Sequence, residues 1–177
     1  FEDCFDCQVG KFSAAGNRVC DTCPAGKEQL GTSCKTCIAG RFSSSETDSN
    51  CESCPKGFYQ PAPGTPYCLP CLPGEFQILS GQSFCDQCPA NTASKSANST
   101  SCKPCDVGKN SVNGSAKCTA CGAGTFGVGC ENCPLGFARE RNDDDTTQCK
   151  QCKLGETTIA GAAKCDTCDA GTFGSAK

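Results

Sequence analysis

CESCPKGFYQPAPGTPYCLPC, residues 51–71, contains the pattern that decides the fold. A Cys-x-x-Cys pair stands at each end, Gly57 follows Cys54 by three residues, and Tyr59 follows Gly57 by two. Eleven such pairs contain all 22 cysteines of the 177-residue chain, and they start 12 to 19 residues apart, so the chain is an internal repeat. The pairs begin at Cys4, Cys20, Cys34, Cys51, Cys68, Cys85, Cys102, Cys118, Cys130, Cys149 and Cys165.

The residue three positions past each pair predicts a turn. It is glycine in ten units and asparagine in one, Asn91. These residue types enter the left-handed backbone region at least cost, so each unit is predicted to turn there with positive φ. A second turn signal lies four residues before many of the next pairs, and six units have an aromatic residue two positions past the first turn. Each unit of about 16 residues is therefore predicted to be a short irregular β-hairpin, with almost no helix in the chain.

Units of this size cannot bury a core of their own. We expect each aromatic ring to pack on a disulfide and on the adjacent unit, so that the hairpins stack in a row, each touching its neighbours. The fold class is a small disulfide-rich tandem array, stacked into an elongated rod. Residues 1–177 are expected to form a single continuous array that is open at both ends.

Three chemistries use Cys-x-x-Cys pairs. The spacing of Cys4, Cys7, Cys20 and Cys23 suits a zinc ribbon, but eleven pairs cannot be grouped two by two, and thiolates would add negative charge to a chain of net charge −3. Thioredoxin-type redox catalysis needs one activated pair at a helix start. Structural disulfides are favoured, and they predict an extracellular or cell-surface protein without metal or other cofactor.

Loop geometry ranks the possible disulfide pairings. A bond inside a pair closes a strained ring, whereas a bond from the second cysteine of one pair to the first of the next closes each hairpin. A rival scheme joins first to first and second to second in adjacent pairs, and it ranks lower because it strands one pair. The favoured scheme predicts Cys7–Cys20, Cys23–Cys34, Cys37–Cys51, Cys54–Cys68, Cys71–Cys85, Cys88–Cys102, Cys105–Cys118, Cys121–Cys130, Cys133–Cys149 and Cys152–Cys165.

Cys4 and Cys168 have no partner in this scheme. With one copy placed after another, 9 + 3 = 12 residues separate Cys168 from the next Cys4, as many as separate Cys7 from Cys20. We therefore expect an intermolecular Cys168–Cys4 disulfide or a longer covalent chain. The first residues have no signal-peptide character, so we also expect a processed or excised piece of a larger chain.

Two sequons predict N-glycosylation at Asn98 and Asn113. Both lie at the second turn of a hairpin, where a glycan would be exposed to solvent. Chance occurrence in a chain rich in Ser, Thr and Asn is the alternative explanation.

Cys54-Pro55-Lys56-Gly57-Phe58-Tyr59 resembles the ephrin-receptor-like cysteine-rich repeat. Related stretches begin at Cys23, Cys88 and Cys133, and the resemblance covers essentially the whole chain. The motif is also similar to the first small module of tumour-necrosis-factor-receptor cysteine-rich domains, in which a disulfide to the next cysteine closes the loop; this supports the favoured pairing. The second module of those domains does not recur here, so the resemblance implies no ligand site of that type.

The resemblance implies several extracellular roles. Such arrays occur in animal receptors and in long extracellular surface proteins of algae and protists, including mastigoneme proteins and ciliate surface antigens.

The chain has no histidine, no basic stripe and no apolar run long enough for a membrane span, so we expect no histidine-based catalysis, no nucleic-acid partner and no membrane-spanning segment. No nucleophile, acid–base pair or phosphate loop stands out, and we expect a non-enzyme.

The favoured hypothesis is a structural protein that forms an extracellular, glycosylated fibril or cell-surface appendage. Its partners would be further copies of itself, in a head-to-tail homopolymer, and covalent glycans. One alternative is the ligand-binding or adhesion ectodomain of a cell-surface receptor, with a site in the irregular units near Phe137 and Arg139. The other is a protist surface antigen.

Overall fold

The computed structural model describes residues 5–8, 11–44, 50–140 and 146–174. In these ranges the chain forms short β-strands and no helix. Only β3 and β4 are longer than two residues. The strands are β1 (Lys11–Phe12), β2 (Asp21–Thr22), β3 (Lys27–Leu30), β4 (Ser33–Thr36), β5 (Arg41–Phe42), β6 (Glu52–Ser53), β7 (Phe58–Tyr59), β8 (Leu69–Pro70), β9 (Glu75–Phe76), β10 (Asp86–Gln87), β11 (Thr92–Ala93), β12 (Lys103–Pro104), β13 (Lys109–Asn110), β14 (Thr119–Ala120), β15 (Thr125–Phe126), β16 (Glu131–Asn132), β17 (Phe137–Ala138), β18 (Lys150–Gln151), β19 (Glu156–Thr157) and β20 (Asp166–Thr167).

Consecutive strands pair into two-stranded sheets, β1 with β2 through β19 with β20. We number these hairpins 1 to 10 in chain order. In hairpin 4 the antiparallel register places Phe58 opposite Pro70 and Tyr59 opposite Leu69. The two residues after a turn glycine thus pair with the two residues between the cysteines of the next pair. The predicted array of small disulfide-rich hairpins is confirmed.

One disulfide closes each hairpin, from the second cysteine of one pair to the first cysteine of the next. This is the scheme ranked first from loop geometry, and the two sulfur atoms of every bond belong to the same hairpin. The ten disulfides are Cys7–Cys20, Cys23–Cys34, Cys37–Cys51, Cys54–Cys68, Cys71–Cys85, Cys88–Cys102, Cys105–Cys118, Cys121–Cys130, Cys133–Cys149 and Cys152–Cys165.

Both predicted turns have positive φ wherever the structure describes them. The first turn has a φ of 80° at Gly57 and 63° at Asn91. The second turn has a φ of 74° at Gly64 and 54° at Asn98, since asparagine tolerates this region better than most residues do. Gly10, the first-turn residue of the first unit, lies outside the described residues.

The chain divides into two compact units. Unit 1 comprises Phe1–Asp86 and Ser96–Ser101, and unit 2 comprises Gln87–Lys95 and Cys102–Lys177. Hairpins 1 to 4, hairpin 5 as far as Asp86 and the tip of hairpin 6 belong to unit 1. The rest of hairpin 6 and hairpins 7 to 10 belong to unit 2.

Sulfur, rather than hydrocarbon, fills the core of both units. The buried hydrophobic residues of the described ranges are ten cysteines and two alanines, Ala93 and Ala138. Phe42, Tyr59 and Phe126 are partly buried, and the packing of each aromatic ring on a disulfide and on the adjacent unit stays a prediction. The hairpins approach one another through their backbones, as the close contact of Gly40 with Gly81 shows.

Candidate functional site at the junction between hairpins

The junction between hairpins is built around the glycine of the first turn. In unit 1, the Gly57 N–H of hairpin 4 donates a hydrogen bond of 2.9 Å to the Gln77 carbonyl of hairpin 5. The Gly57 carbonyl accepts one of 2.9 Å from the N–H of Cys71, whose disulfide closes hairpin 5. The carbonyl of the turn residue therefore extends the ladder of its own hairpin, and its N–H binds the next hairpin.

The same pair of hydrogen bonds recurs along both units. The turn N–H donates to the carbonyl three residues past the next turn residue, and the turn carbonyl accepts from the second cysteine of the next pair. The recurring donors and acceptors are Gly26 with Ser43 and Cys37, Gly40 with Gln60 and Cys54, Asn91 with Ser111 and Cys105, Gly108 with Gly127 and Cys121, and Gly124 with Arg139 and Cys133.

Each hairpin also contacts the second hairpin along the chain. The sequence predicted contacts between adjacent hairpins only. A Cβ atom on Gly57 would overlap the carbonyl oxygen of Asn98 at the tip of hairpin 6, inside unit 1. Glycine is thus required twice at this position, by its positive φ and by the approach of another backbone. The equivalent overlaps with a carbonyl oxygen are Gly26 with Gly64 and Gly40 with Gly81 in unit 1 and Gly124 with Gly161 in unit 2, and a Cβ atom on Gly108 would overlap the hydroxyl of Thr146.

The buried polar side chains occupy one position of the repeat, three residues past the first turn residue. The burial of this position was not predicted, although Ser, Gln, Thr or Arg occupies it in nine of the eleven units. The residue types at this position could have indicated its burial, because hydroxyl and amide side chains can hydrogen-bond nearby backbone groups. The buried members are Ser43, Gln60, Gln77, Ser94, Arg139 and Thr158.

Two glutamines show what this position does. The Gln60 side chain donates from Nε2 to the Tyr67 carbonyl over 2.7 Å and accepts at Oε1 from the Ala62 N–H over 3.1 Å. Gln77 repeats both bonds in hairpin 5, with the Phe84 carbonyl and the Leu79 N–H, each over 3.0 Å. A buried amide therefore holds the loop of its own hairpin, while its backbone binds the neighbouring hairpins.

Arg139 fills the same position in hairpin 9 and is 1 % exposed. Its Nε donates to the Thr125 carbonyl over 2.6 Å, and its Nη2 donates to the carbonyls of Cys121 (2.7 Å) and Gly122. All three acceptors lie in hairpin 8, which has the shortest disulfide loop. The guanidinium thus joins hairpin 9 to hairpin 8, and its burial is incompatible with the surface ligand contact expected of Arg139.

A cavity of about 290 Å³ lies at hairpins 9 and 10 in unit 2. Leu135, Gly136 and Phe137 line one side, and the lining also includes Cys152 and Phe173. Phe137 is half-buried, so its ring borders the cavity without closing it.

The remaining predicted site residues are separate from this cavity. Asn98 and Asn113 are exposed, as a glycan requires. Asn113 accepts a hydrogen bond of 2.7 Å from the Ala90 N–H at Oδ1, whereas a glycan would attach at Nδ2. Cys168 is a free, half-buried thiol, and Cys4 lies outside the described residues.

Two groups of residues could hold a metal by their spacing or proximity, but disulfides join their described cysteines. Cys7 and Cys20, of the zinc-ribbon spacing, are bonded to each other. Cys152, Glu156 and Cys165 bring three possible ligand atoms within 4.8 Å, but the two sulfur atoms form a disulfide. A metal needs thiolates, so this group does not offer a thiolate site.

An exposed ion pair lies beside the first turn of hairpin 7. Lys109 Nζ lies 2.9 Å from Asp106 Oδ2, and this hydrogen bond, with the lysine charge, holds the pKa of Asp106 below its usual value. The pair is exposed, so it contributes little to stability. In the described ranges, no helix has the length and apolar character that crossing a membrane requires.

The family of tyrosine-protein kinase ephrin type A/B receptor-like repeats matches two overlapping stretches, residues 40–78 and 62–105. Residues 40–105 are ephrin-receptor-like. These stretches contain hairpins 3 to 6, in which the glycine junction and the buried glutamines occur. The ephrin-receptor-like motif recognised at Cys54 is thereby confirmed. A comparison with curated proteins found no match.

Proposed function

We propose that the chain is a structural component of an extracellular, glycosylated fibril or cell-surface appendage, built by head-to-tail association of copies. The observation that carries the proposal is the recurrence of one junction, with the same donors and acceptors, in both units. A receptor site would normally distinguish one unit from the others. In this array six turn residues instead make the same two hydrogen bonds, as expected of stacked repeats that each contact their neighbours.

The disulfides and the family support an extracellular location. Ten disulfides persist in an oxidising compartment, and each of them closes one hairpin. The ephrin-receptor-like stretch indicates an extracellular module of receptor-like or structural type. On this proposal the chain is non-catalytic, because its buried polar side chains hold the loops and junctions of the array together.

Electron microscopy of the purified chain tests the proposal. Filaments, or end-to-end oligomers whose length grows with protein concentration, are the expected result. Small-angle scattering of the dilute chain tests the rod shape and the single continuous array, which stay predictions. Single compact particles at every concentration, with the disulfides intact by mass spectrometry, would contradict the proposed fibril.

A receptor or adhesion ectodomain is the second candidate function. The cavity at hairpins 9 and 10 favours it, because a concave surface beside Leu135 and Phe137 has the size of a small-molecule or side-chain pocket. Binding of a soluble ligand with 1:1 stoichiometry, weakened by Phe137→Ala and unchanged by Val112→Ala, would support this function. Val112 is exposed in hairpin 7 and serves as the control.

A further inference from the structure

The two predicted glycosylation sites differ in their position on the second turn. Asn98 of hairpin 6 is itself the turn residue, with a φ of 54°. Its N–H donates to the Cys71 carbonyl over 3.0 Å. Asn113 of hairpin 7 lies one residue before the turn residue Gly114, whose φ is 72° and whose N–H donates to the Cys88 carbonyl over 2.8 Å. The two asparagine side chains therefore begin at different points of the same kind of turn.

The polar side chains of the Asn113 sequon are both hydrogen-bonded in the folded chain. Asn113 Oδ1 accepts a hydrogen bond of 2.7 Å from the Ala90 N–H, in the first turn of hairpin 6. The half-buried Ser115, which supplies the hydroxyl of the sequon, donates from Oγ to the Val112 carbonyl over 2.7 Å. Asn113 thus joins the tip of hairpin 7 to the preceding hairpin, within unit 2.

The polar side chains of the Asn98 sequon are available by comparison. Asn98 and Thr100 are both exposed, and neither side chain makes a hydrogen bond to any described residue. The position that Asn113 occupies in hairpin 7 is filled by Ala97 in hairpin 6, and alanine has no polar group that could bind the preceding hairpin. One residue of offset therefore decides which asparagine belongs to the packed structure.

Glycan transfer needs the groups that are engaged at Asn113. The asparagine Nδ2 forms a bond to C1 of the first sugar of a lipid-linked oligosaccharide, while the bond from C1 to the lipid pyrophosphate breaks. The lipid pyrophosphate leaves, and Nδ2 loses one proton. A sequon requires a hydroxyl two residues after the asparagine, so the transferase has to reach the amide and the hydroxyl together. Side chains that are hydrogen-bonded elsewhere must first be released.

We propose that Asn113 accepts a glycan only before hairpin 7 packs on the first turn of hairpin 6, whereas Asn98 also accepts one in the folded chain. This inference rests on the proposed function, because it concerns the glycans of the proposed fibril. Ala90 precedes Asn113 in the chain, and Cys118, which closes hairpin 7, follows Asn113 by five residues. Folding therefore competes with transfer as soon as the sequon has emerged.

A glycan that is attached first is compatible with the fold. The sugar is bonded to Nδ2, and Oδ1 remains a carbonyl oxygen that can accept from the Ala90 N–H. Asn113 is also exposed, which leaves room for the sugar. The hydrogen bond thus opposes attachment without opposing the glycosylated product, and occupancy at Asn113 depends on which event comes first.

Transfer to the purified full chain tests the order of events. Chain made in bacteria is refolded, its ten disulfides are verified by mass spectrometry, and one portion is reduced and alkylated. Both portions are incubated with a eukaryotic oligosaccharyltransferase and a dolichyl-pyrophosphate-linked oligosaccharide. We expect both asparagines of the reduced chain to be glycosylated. In the folded chain we expect transfer to Asn98, and transfer to Asn113 that is at least about tenfold slower than in the reduced chain.

Ala90→Pro tests the hydrogen bond itself, because proline has no N–H. Pro73 occupies the equivalent position in hairpin 5, so the first turn accommodates proline. In the folded variant we expect transfer to Asn113 to be about two- to tenfold faster than in the folded parent chain, and transfer to Asn98 to be unchanged. Ala25→Pro makes the same change in the Cys-Pro-Ala motif of hairpin 2 and should change neither rate.

The inference and the proposed function fail in different ways. Equal rates at Asn113 in the folded and the reduced chain would overturn the inference, and so would a folded chain that accepts no glycan at Asn98. Either result leaves the glycosylated fibril standing when the reduced chain accepts glycans. A reduced chain that accepts none at either asparagine would overturn the inference and the proposed glycosylation together. Ala90→Pro with the parent rate at Asn113 would refute the role of the Ala90 hydrogen bond.

Discussion

A Cβ atom on Gly57 would overlap the carbonyl oxygen of Asn98, although the two residues lie in hairpins that are not consecutive. This backbone approach links each hairpin to its second neighbour, in addition to the hydrogen bonds that link it to the next one. Disturbing one hairpin is therefore expected to affect two others in each direction along a unit.

Gly57→Ala is expected to destabilise its junction more than Gly16→Ala destabilises hairpin 1. Both glycines have positive φ, 80° and 85°, so alanine costs about 1–2 kcal/mol at either position. Of the two, only Gly57 lies so close to another backbone that an added Cβ atom would overlap it, and this overlap adds about 1–3 kcal/mol. Amide hydrogen exchange at Gly57 and Cys71 measures the difference. Equal losses in the two variants would show that the contact with Asn98 contributes nothing.

Gln77→Leu is expected to loosen hairpin 5, because leucine keeps much of the volume but leaves the Leu79 N–H and the Phe84 carbonyl without the amide. The cost should be about 1–3 kcal/mol, the desolvation penalty of a buried polar group left unsatisfied. Faster hydrogen exchange at Leu79 measures it. Gln82→Leu, which removes only a bond to the exposed Ser80 carbonyl, is the control and should change exchange little.

Arg139→Met and Arg139→Lys are both expected to destabilise hairpin 8. Methionine leaves the Thr125 and Cys121 carbonyls unpaired, and lysine buries an ammonium that cannot reproduce the planar fork of the guanidinium. The cost should be about 1–3 kcal/mol for each carbonyl that loses its hydrogen bond.

The Cys121–Cys130 disulfide reports this loss. Its rate of reduction by dithiothreitol, followed by mass spectrometry, should rise about tenfold or more in both variants, since opening of hairpin 8 exposes the sulfur atoms. Arg18→Met changes an exposed arginine and is the control. A reduction rate unchanged in all three variants would refute the role assigned to Arg139.

Removing the Cys54–Cys68 disulfide with two alanines is expected to reduce protection beyond hairpin 4. Loss of a bond that closes a loop of about 15 residues costs about 3 kcal/mol. Hairpin 4 covers Gly26 of hairpin 2 and binds Gly40 of hairpin 3, so the amides of both should exchange faster. Faster exchange confined to hairpins 3, 4 and 5 would show that only nearest neighbours are coupled.

Thr100→Ala and Ser115→Ala are expected each to remove one glycan from chain secreted by eukaryotic cells. Each removes the hydroxyl of a sequon and leaves Asn98 or Asn113 in its turn. Intact mass before and after glycosidase treatment measures the change. If the sequons occur by chance, the parent chain carries no glycan. Glycosidase treatment would then leave the mass of the parent chain and of both variants unchanged.

Much of the repeat could be predicted from the sequence because its determinants are local. Cysteine spacing limits which disulfides can close, and a glycine three residues past each pair predicts a turn whatever surrounds it. The second-neighbour contacts could not be predicted in this way. The approach of Gly57 to Asn98 depends on how consecutive hairpins are rotated, and no spacing in the sequence encodes that rotation.

The buried polar side chains could not be predicted from residue size or hydropathy. Tyr59 and Phe76 are large and apolar, yet the adjacent Gln60 and Gln77 are the buried residues. Their amides satisfy the backbone groups of a tight loop, which an aromatic ring cannot do. Arg139 illustrates the same effect, since a charged side chain lies in the interior where it meets three carbonyl oxygens.

The sulfur and amide core has a thermal consequence. Unfolding increases heat capacity mainly by exposing apolar surface to water, and exposure of polar surface lowers it. An array whose interior holds cysteine, serine and glutamine should therefore have a small heat-capacity increment per residue and a flat stability curve. The free energy of unfolding would then change little between cold and warm surroundings, whereas a reducing environment would open the bond that closes each hairpin.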